Sequence, residues 1–286
     1  MTIILKLMRI KQWVKNLFIL LPLFFSGSAF DPENLRKSVV LVIGFCFIAS
    51  SVYIINDLID SKKDKDHPGK KDRPIASGKI SLLSAIILLV FFLTLGFSII
   101  LTLGNTLVVI ITFVYLALNI LYSLKLKNLP SFDLITLSLF YVIRVLIGGV
   151  VIGVAITNWL SICTFTIALF LGAGKRYIEL YSNGTSSRMV LEKYTKEYLL
   201  YALYLSSFST IVFYSLFCFT KGIYYELSIF PVVGGFLMYF LKLFRHEINE
   251  DPSLIFLRDK SIAFYLIVWA IIVFSLTYIF PSLQTS

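Results

Sequence analysis

The chain has 286 residues, 58% of them hydrophobic, and a mean hydropathy of +0.88. Soluble domains hold about 45–50% apolar residues, so a soluble globular fold is excluded. The net charge of +10 must be read by its placement, and no nucleic-acid partner is expected.

Apolar runs of about 20 residues, the length that spans ~30 Å of hydrocarbon as a helix, recur throughout. The expected fold is therefore all-α, a single polytopic membrane domain over 1–286. Residues 1–12 read as a basic interfacial segment. "MTIILKLMRIKQWVKN" carries Lys6, Arg9, Lys11 and Lys15 without a small-residue cleavage site, so it is kept in the mature chain. Nine spans follow, at 13–30, 38–56, 82–103, 105–123, 132–154, 159–174, 199–220, 227–244 and 261–280. Pro22 and Gly27 interrupt the first. Cys46, Cys163 and Cys218 all fall inside apolar runs, as small buried hydrophobes do.

Twenty-two of the 26 Lys and Arg residues lie at the N-terminus or around the even-numbered connections. The opposite side receives Arg36, Lys37 and Lys221. This asymmetry predicts a cytoplasmic N-terminus, an external C-terminus and cytoplasmic even-numbered loops. The chemistry is expected in those loops, at 57–80, 122–133, 174–198 and 245–260. The external connections at Gly104–Asn105 and Thr157–Asn158 are almost absent.

The second span runs directly into "NDLIDSKKDKDHPGKKDRPIASG", Asn56 to Gly78. Asp57, Asp60 and Asp64 stand at i, i+3 and i+7, on one helical face that Asn56 joins. Like charges at that spacing destabilise a bare helix. Two carboxylates ~4 Å apart repel by about 1 kcal/mol in water and about 4 kcal/mol when partly buried. A cation between them relieves the conflict, and an oxygen-only donor set favours Mg2+, with Mn2+ as a substitute. Mg2+ held by one or two carboxylates usually completes its shell with waters and a substrate's phosphates. Pro68 and Gly69 then break the helix, so the chain can fold back over its own end. His67, Lys70 and Arg73 follow. Arg suits bidentate phosphate recognition and Lys a point contact.

Further polar groups gather on the same side. Tyr122 and Lys125 end the fourth span, and Asp133 opens the fifth. Arg144 lies about three turns further in, where a charge costs ~2.5–3.5 kcal/mol on insertion scales. It should face the bundle interior, paired with Asp133 or with an anionic ligand. Lys175, Arg176 and Glu179 follow the sixth span. "SSRMVLEKYTKEYLL" reads as an amphipathic helix with Ser187 as its N-cap. The sequon at Asn183 falls in a cytoplasmic loop and is set aside. Gly149-x-x-x-Gly153 reads as a close helix contact.

These residues resemble the UbiA superfamily of intramembrane prenyltransferases. The likeness is nearer to its decaprenyl-phosphate phosphoribosyltransferase branch. It rests on "KQWVKN" at Lys11–Asn16 and on the pattern from Asn56 to Gly78. It also rests on Tyr122–Lys127 with Arg144, on Gly174–Leu180, and on Ser187–Tyr194. It covers nearly the whole chain. The resemblance implies transfer of 5-phosphoribose from phosphoribosyl pyrophosphate to a polyprenyl phosphate, in cell envelope synthesis at the inner or plasma membrane. A homo-oligomer is compatible with it.

On that footing Asn56, Asp57, Asp60 and Asp64 would hold the metal, the three aspartates being the catalytic set. His67, Lys70, Arg73, Lys175 and Arg176 would bind donor phosphates. Lys15, Asn16, Tyr122, Lys125 and Arg144 would bind the acceptor phosphate, with Asp133 and Glu179 in support. Aromatic prenyltransferases of the superfamily carry a second acidic motif where this chain has Lys175, Arg176 and Glu179. That departure counts against the alternative, transfer of a polyprenyl group from its diphosphate to an aromatic acceptor. A transporter or lipid-binding scaffold is a further alternative. It is disfavoured because such sites lie near the midplane, where only Arg144 qualifies.

Overall fold

A computed structural model describes residues 3–65, 70–183, 189–248, 255 and 259–281. All the regular secondary structure among them is helical. The chain divides into two compact units, residues 1–156 with 186–190, and residues 157–185 with 191–286.

The first unit begins with α1 (Ile3–Met8), a 3-10 helix at Ile10–Leu20 and α2 (Leu21–Phe25). It continues through α3 (Pro32–Lys65), α4 (Leu82–Leu101), α5 (Thr106–Leu124) and α6 (Phe132–Ile152). Polar caps set several starts. Ser81 accepts from the Ser84 backbone N–H, and Asn105 accepts from those of Leu107 and Val108. Helix α3 packs along α4, where Gly44 and Gly96 bring the two backbones together. Leu41, Phe45, Ile48, Tyr115, Phe140 and Ile147 form part of the core. Leu82, Leu83, Ile87 and Val90 of α4 stay exposed, as a bilayer-facing surface requires.

The second unit contains α7 (Asn158–Asn183), α8 (Lys196–Lys221), α9 (Ile223–Glu226), α10 (Ile229–Phe244) and α11 (Lys260–Phe274). Helix α7 packs along α8. Thr210 donates to Thr166 at 2.8 Å across that pair. Tyr239 fills the space left by Gly174, where a Cβ would sit 2.2 Å from its hydroxyl oxygen.

Seven helices among the described residues are long and apolar enough to cross a membrane: Pro32–Lys65, Leu82–Leu101, Thr106–Leu124, Phe132–Ile152, Lys196–Lys221, Ile223–Phe244 and Lys260–Ile279. Two of the nine expected spans are missing from this set. The first, 13–30, is no continuous helix. A 3-10 stretch gives way to five residues of α2, and the chain turns at Gly27 with φ 75. In the 3-10 form residues three apart share a face, so Trp13, Asn16 and Ile19 all point inward. The sixth, α7, is long enough at 26 residues. Its Asn158, Ser161, Thr164, Thr166, Lys175 and Arg176 keep it less apolar.

Two smaller expectations are corrected. Gly149 and Gly153 make no helix contact: Gly153 is a left-handed helix cap (φ 71) in open space, and Gly149 faces Val154 and Ile156 of the following turn. The close approach belongs to Gly148, where a Cβ would sit 2.1 Å from the Ile19 carbonyl oxygen. Gly148→Ala should therefore destabilise the protein by about 1–3 kcal/mol, read as a lower unfolding midpoint in detergent. The segment after Arg188 is a 3-10 turn at Met189–Lys193, and α8 starts afresh with Thr195 as its N-cap. Ser187 lies outside the described residues.

Candidate active site

The site is built at the C-terminal end of α3. Asp57 and Asp64 lie about two turns apart and are buried, 2% and 4% exposed. Turns at residues 70–78 carry Arg73 back to them. Ile75 and Ala76 anchor that return by burial, and Gly78 (φ 73) turns it towards α4. One nitrogen of Arg73, Nη1, donates to Asp57 Oδ1 at 3.0 Å and to Asp64 Oδ2 at 2.6 Å. Arg9 Nη2 donates to the same Asp57 oxygen at 2.5 Å. Its guanidinium carbon lies 5.0 Å from the Tyr53 ring centre. Asp60 is taken by Lys127 Nζ at 2.5 Å. Three carboxylates on one helix thus meet three cationic side chains from three other segments. Asn56 is half-buried beside Asp57.

Among the described residues, no three His, Cys, Asp or Glu side chains converge as a ready metal site. The donor chemistry nevertheless fits a hard cation. Arg73 Nη1 is a cationic atom in contact with two carboxylates at once, so Asp57 and Asp64 together accept positive charge. Asp60 is turned to Lys127 instead.

Arg144 does not pair with Asp133. It is 4% exposed and donates to Asn16 Oδ1 (2.9 Å), the Tyr115 hydroxyl (2.9 Å) and the Phe140 carbonyl (2.7 Å). The rings of Phe45, Tyr115 and Tyr141 surround it. Asp133 is fully buried and accepts from Tyr122 at 2.8 Å. Asn16 also donates to Cys46 Sγ. The 3-10 geometry brings Asn16 to Arg144, and helix α5 brings Tyr115; a pairing inferred along α6 alone could see neither.

Lys15 is half-buried in the 3-10 segment, Lys125 is an exposed helix cap, and Lys70 lies in the turn leading to Arg73. His67 lies outside the described residues. Lys175, Arg176 and Glu179 belong to α7 of the second unit. There Arg176 is 1% exposed and pairs with Glu179 at 2.9 Å. Arg9 and Lys127 are the site residues that the sequence reading missed. Both were counted as topology-setting charges, although each sits in a quoted motif or next to one.

Known proteins are similar to this chain in sequence and in fold. The UbiA prenyltransferase family profile matches residues 17–267. The chain is 29% identical to decaprenyl-phosphate phosphoribosyltransferase of Corynebacterium glutamicum, over 96% of this chain and 87% of that one. It is 31% identical to the protein of the same name from Mycobacterium tuberculosis, over 93% and 91%. A UbiA homolog from Archaeoglobus fulgidus, solved bound to GPP and Mg2+, superposes with a TM-score of 0.72 at 19% identity, over 95% of this chain and 97% of that one. The family profile covers most of the chain, and the relatives match along nearly all of it: the chain belongs to the UbiA prenyltransferase family.

Proposed function

We propose that the protein transfers 5-phosphoribose from phosphoribosyl pyrophosphate to a polyprenyl phosphate, giving polyprenyl-phosphoryl-5-phosphoribose and pyrophosphate. The observation that carries this reading is the convergence of Asp57 and Asp64 on one cationic atom, with Arg9 beside them. Acids able to share a cation stand in contact with guanidinium groups suited to phosphates. The relatives named for this activity, matched over 93% and 96% of the chain, support the choice of donor and acceptor. The Lys175, Arg176 and Glu179 sequence, in place of further acids, supports a bare phosphate as the second reactant.

In the reaction, the ribose C1–O bond to the diphosphate breaks and the diphosphate leaves with the electron pair. An oxygen of the lipid phosphate bonds C1. That oxygen is already anionic, so no general base is needed. Asp57 and Asp64, with Asp60 and Asn56 beside them, would hold Mg2+ or Mn2+, whose chemistry there is neutralisation of charge on the leaving group. Lys70, Arg73, His67, Lys175 and Arg176 are assigned to donor phosphates. Lys15, Tyr122 and Lys125 are assigned to the acceptor head. Asn16 and Arg144 hold one another and position the segment that carries Lys15. Tyr122 is itself positioned by Asp133. The charge asymmetry supports a cytoplasmic site in the cell membrane.

The test is mass spectrometry of lipid incubated with the purified protein, Mg2+ and labelled phosphoribosyl pyrophosphate. A lipid phosphate gaining one phosphoribosyl group is the expected product. Label transfer only from a polyprenyl diphosphate would replace this reading with prenyl transfer. Unchanged lipid with both donors would favour a transporter or scaffold.

A further inference from the structure

Arg73 Nη1 and a bridging ion cannot both sit between Asp57 and Asp64. Arg9 contacts the same Asp57 oxygen that Arg73 does, so that oxygen already has two cationic partners. The four-member cluster of Asp57, Asp64, Arg9 and Arg73 is electrically balanced before any ion arrives. A bare divalent cation therefore meets no net negative charge, and entry would strand two guanidinium groups beside it. Both groups are about four-fifths covered, with 25% and 21% of their side chains exposed. An anion that accepts them removes the obstacle.

We propose that Arg9 and Arg73 are exchange partners: they hold the carboxylates until a diphosphate takes them over, so that metal and diphosphate bind only together. Arg9 thereby becomes a phosphate-binding residue of the donor site. The inference rests on the proposed diphosphate donor, but not on the sugar it carries. Its consequence is reciprocal. If diphosphate raises metal affinity, metal raises diphosphate affinity by the same factor.

The experiment uses the full chain in detergent, with Mn2+ and pyrophosphate as probes. Bare Mn2+ affinity is read by electron paramagnetic resonance. Labelled pyrophosphate affinity is read by equilibrium dialysis with and without Mn2+. In the unaltered protein, Mn2+ should tighten pyrophosphate binding at least tenfold. Arg9→Gln and Arg73→Gln should bind bare Mn2+ about tenfold more tightly while binding pyrophosphate more weakly. Arg9→Lys should keep most of the coupling. Shifts in opposite directions are the signature, because simple structural damage weakens both. The proposal is overturned if both affinities fall together in the Gln variants, or if bare Mn2+ affinity is unchanged. Absence of coupling in the unaltered protein overturns it without any variant. Pyrophosphate leaves from phosphoribosyl and prenyl donors alike. The exchange therefore stands or falls separately from the product analysis, which tests the sugar.

Discussion

Asp57→Asn is expected to lower transfer by about 10²- to 10³-fold, the usual effect of removing one group that stabilises developing charge. The amide preserves the shape of the carboxylate and removes its charge. It leaves Arg9 and Arg73 facing a neutral oxygen, and it removes half of the pair that would bridge a metal. Some stability is also lost. The arginines are partly exposed, so the loss should stay below the ~3–5 kcal/mol of a fully buried pair. Turnover must therefore be compared at equal amounts of protein eluting as the folded species. Asp57→Asn retaining more than about a tenth of the activity would remove Asp57 from the catalytic set. Asp60 is held separately by Lys127, and Asp60→Asn with full Mg2+-dependent turnover would remove Asp60 from the metal set.

Arg144→Met is expected to cost about 3–5 kcal/mol of stability. Hydrogen bonds between membrane segments average about 0.6 kcal/mol and reach about 1.7. Arg144 makes two of them, to Asn16 and Tyr115, besides a bond to its own helix at Phe140. Desolvated cation–π contacts contribute about 2 kcal/mol more. Methionine fills most of the volume, so the loss reports the polar network rather than a cavity. Reversible unfolding in mixed micelles measures it. A double-variant cycle with Asn16→Ala isolates the pair and should return a coupling of about 0.6–1.7 kcal/mol. A total loss under about 0.5 kcal/mol would show that the network stabilises nothing.

Much of the architecture was legible because hydropathy and caps mark it directly. The expected span 105–123 became Thr106–Leu124, and 132–154 became Phe132–Ile152. The N-terminal segment was not legible, because an apolar run does not reveal whether it is wound as an α-helix or a 3-10 helix. Within the site, helical spacing put the acids on α3 and the broken loop behind them, and Arg73 does fold back. Spacing could not separate Asp60 from its neighbours; a lysine from another connection did that. Arg9 meets Asp57 from 48 residues away, and Asn16 meets Arg144 from 128. Sorting basic residues by loop gives each the same topological reason, so it hides those that also have a tertiary one.

The 3-10 stretch also works as a ruler. Its 11 residues rise about 22 Å at ~2.0 Å each, whereas an α-helix would rise about 16 Å at 1.5 Å each. Its far end is pinned, since Ile19 lies against Gly148 and Asn16 is bonded to Arg144. Six residue steps separate Ile10 from the pinned Asn16, so the 3-10 winding delivers about 3 Å more at the near end, where Arg9 reaches Asp57. Rewinding to an α-helix would draw that guanidinium away by about 3 Å. The winding of an apolar segment thus sets the distance between a cation and the acids it guards.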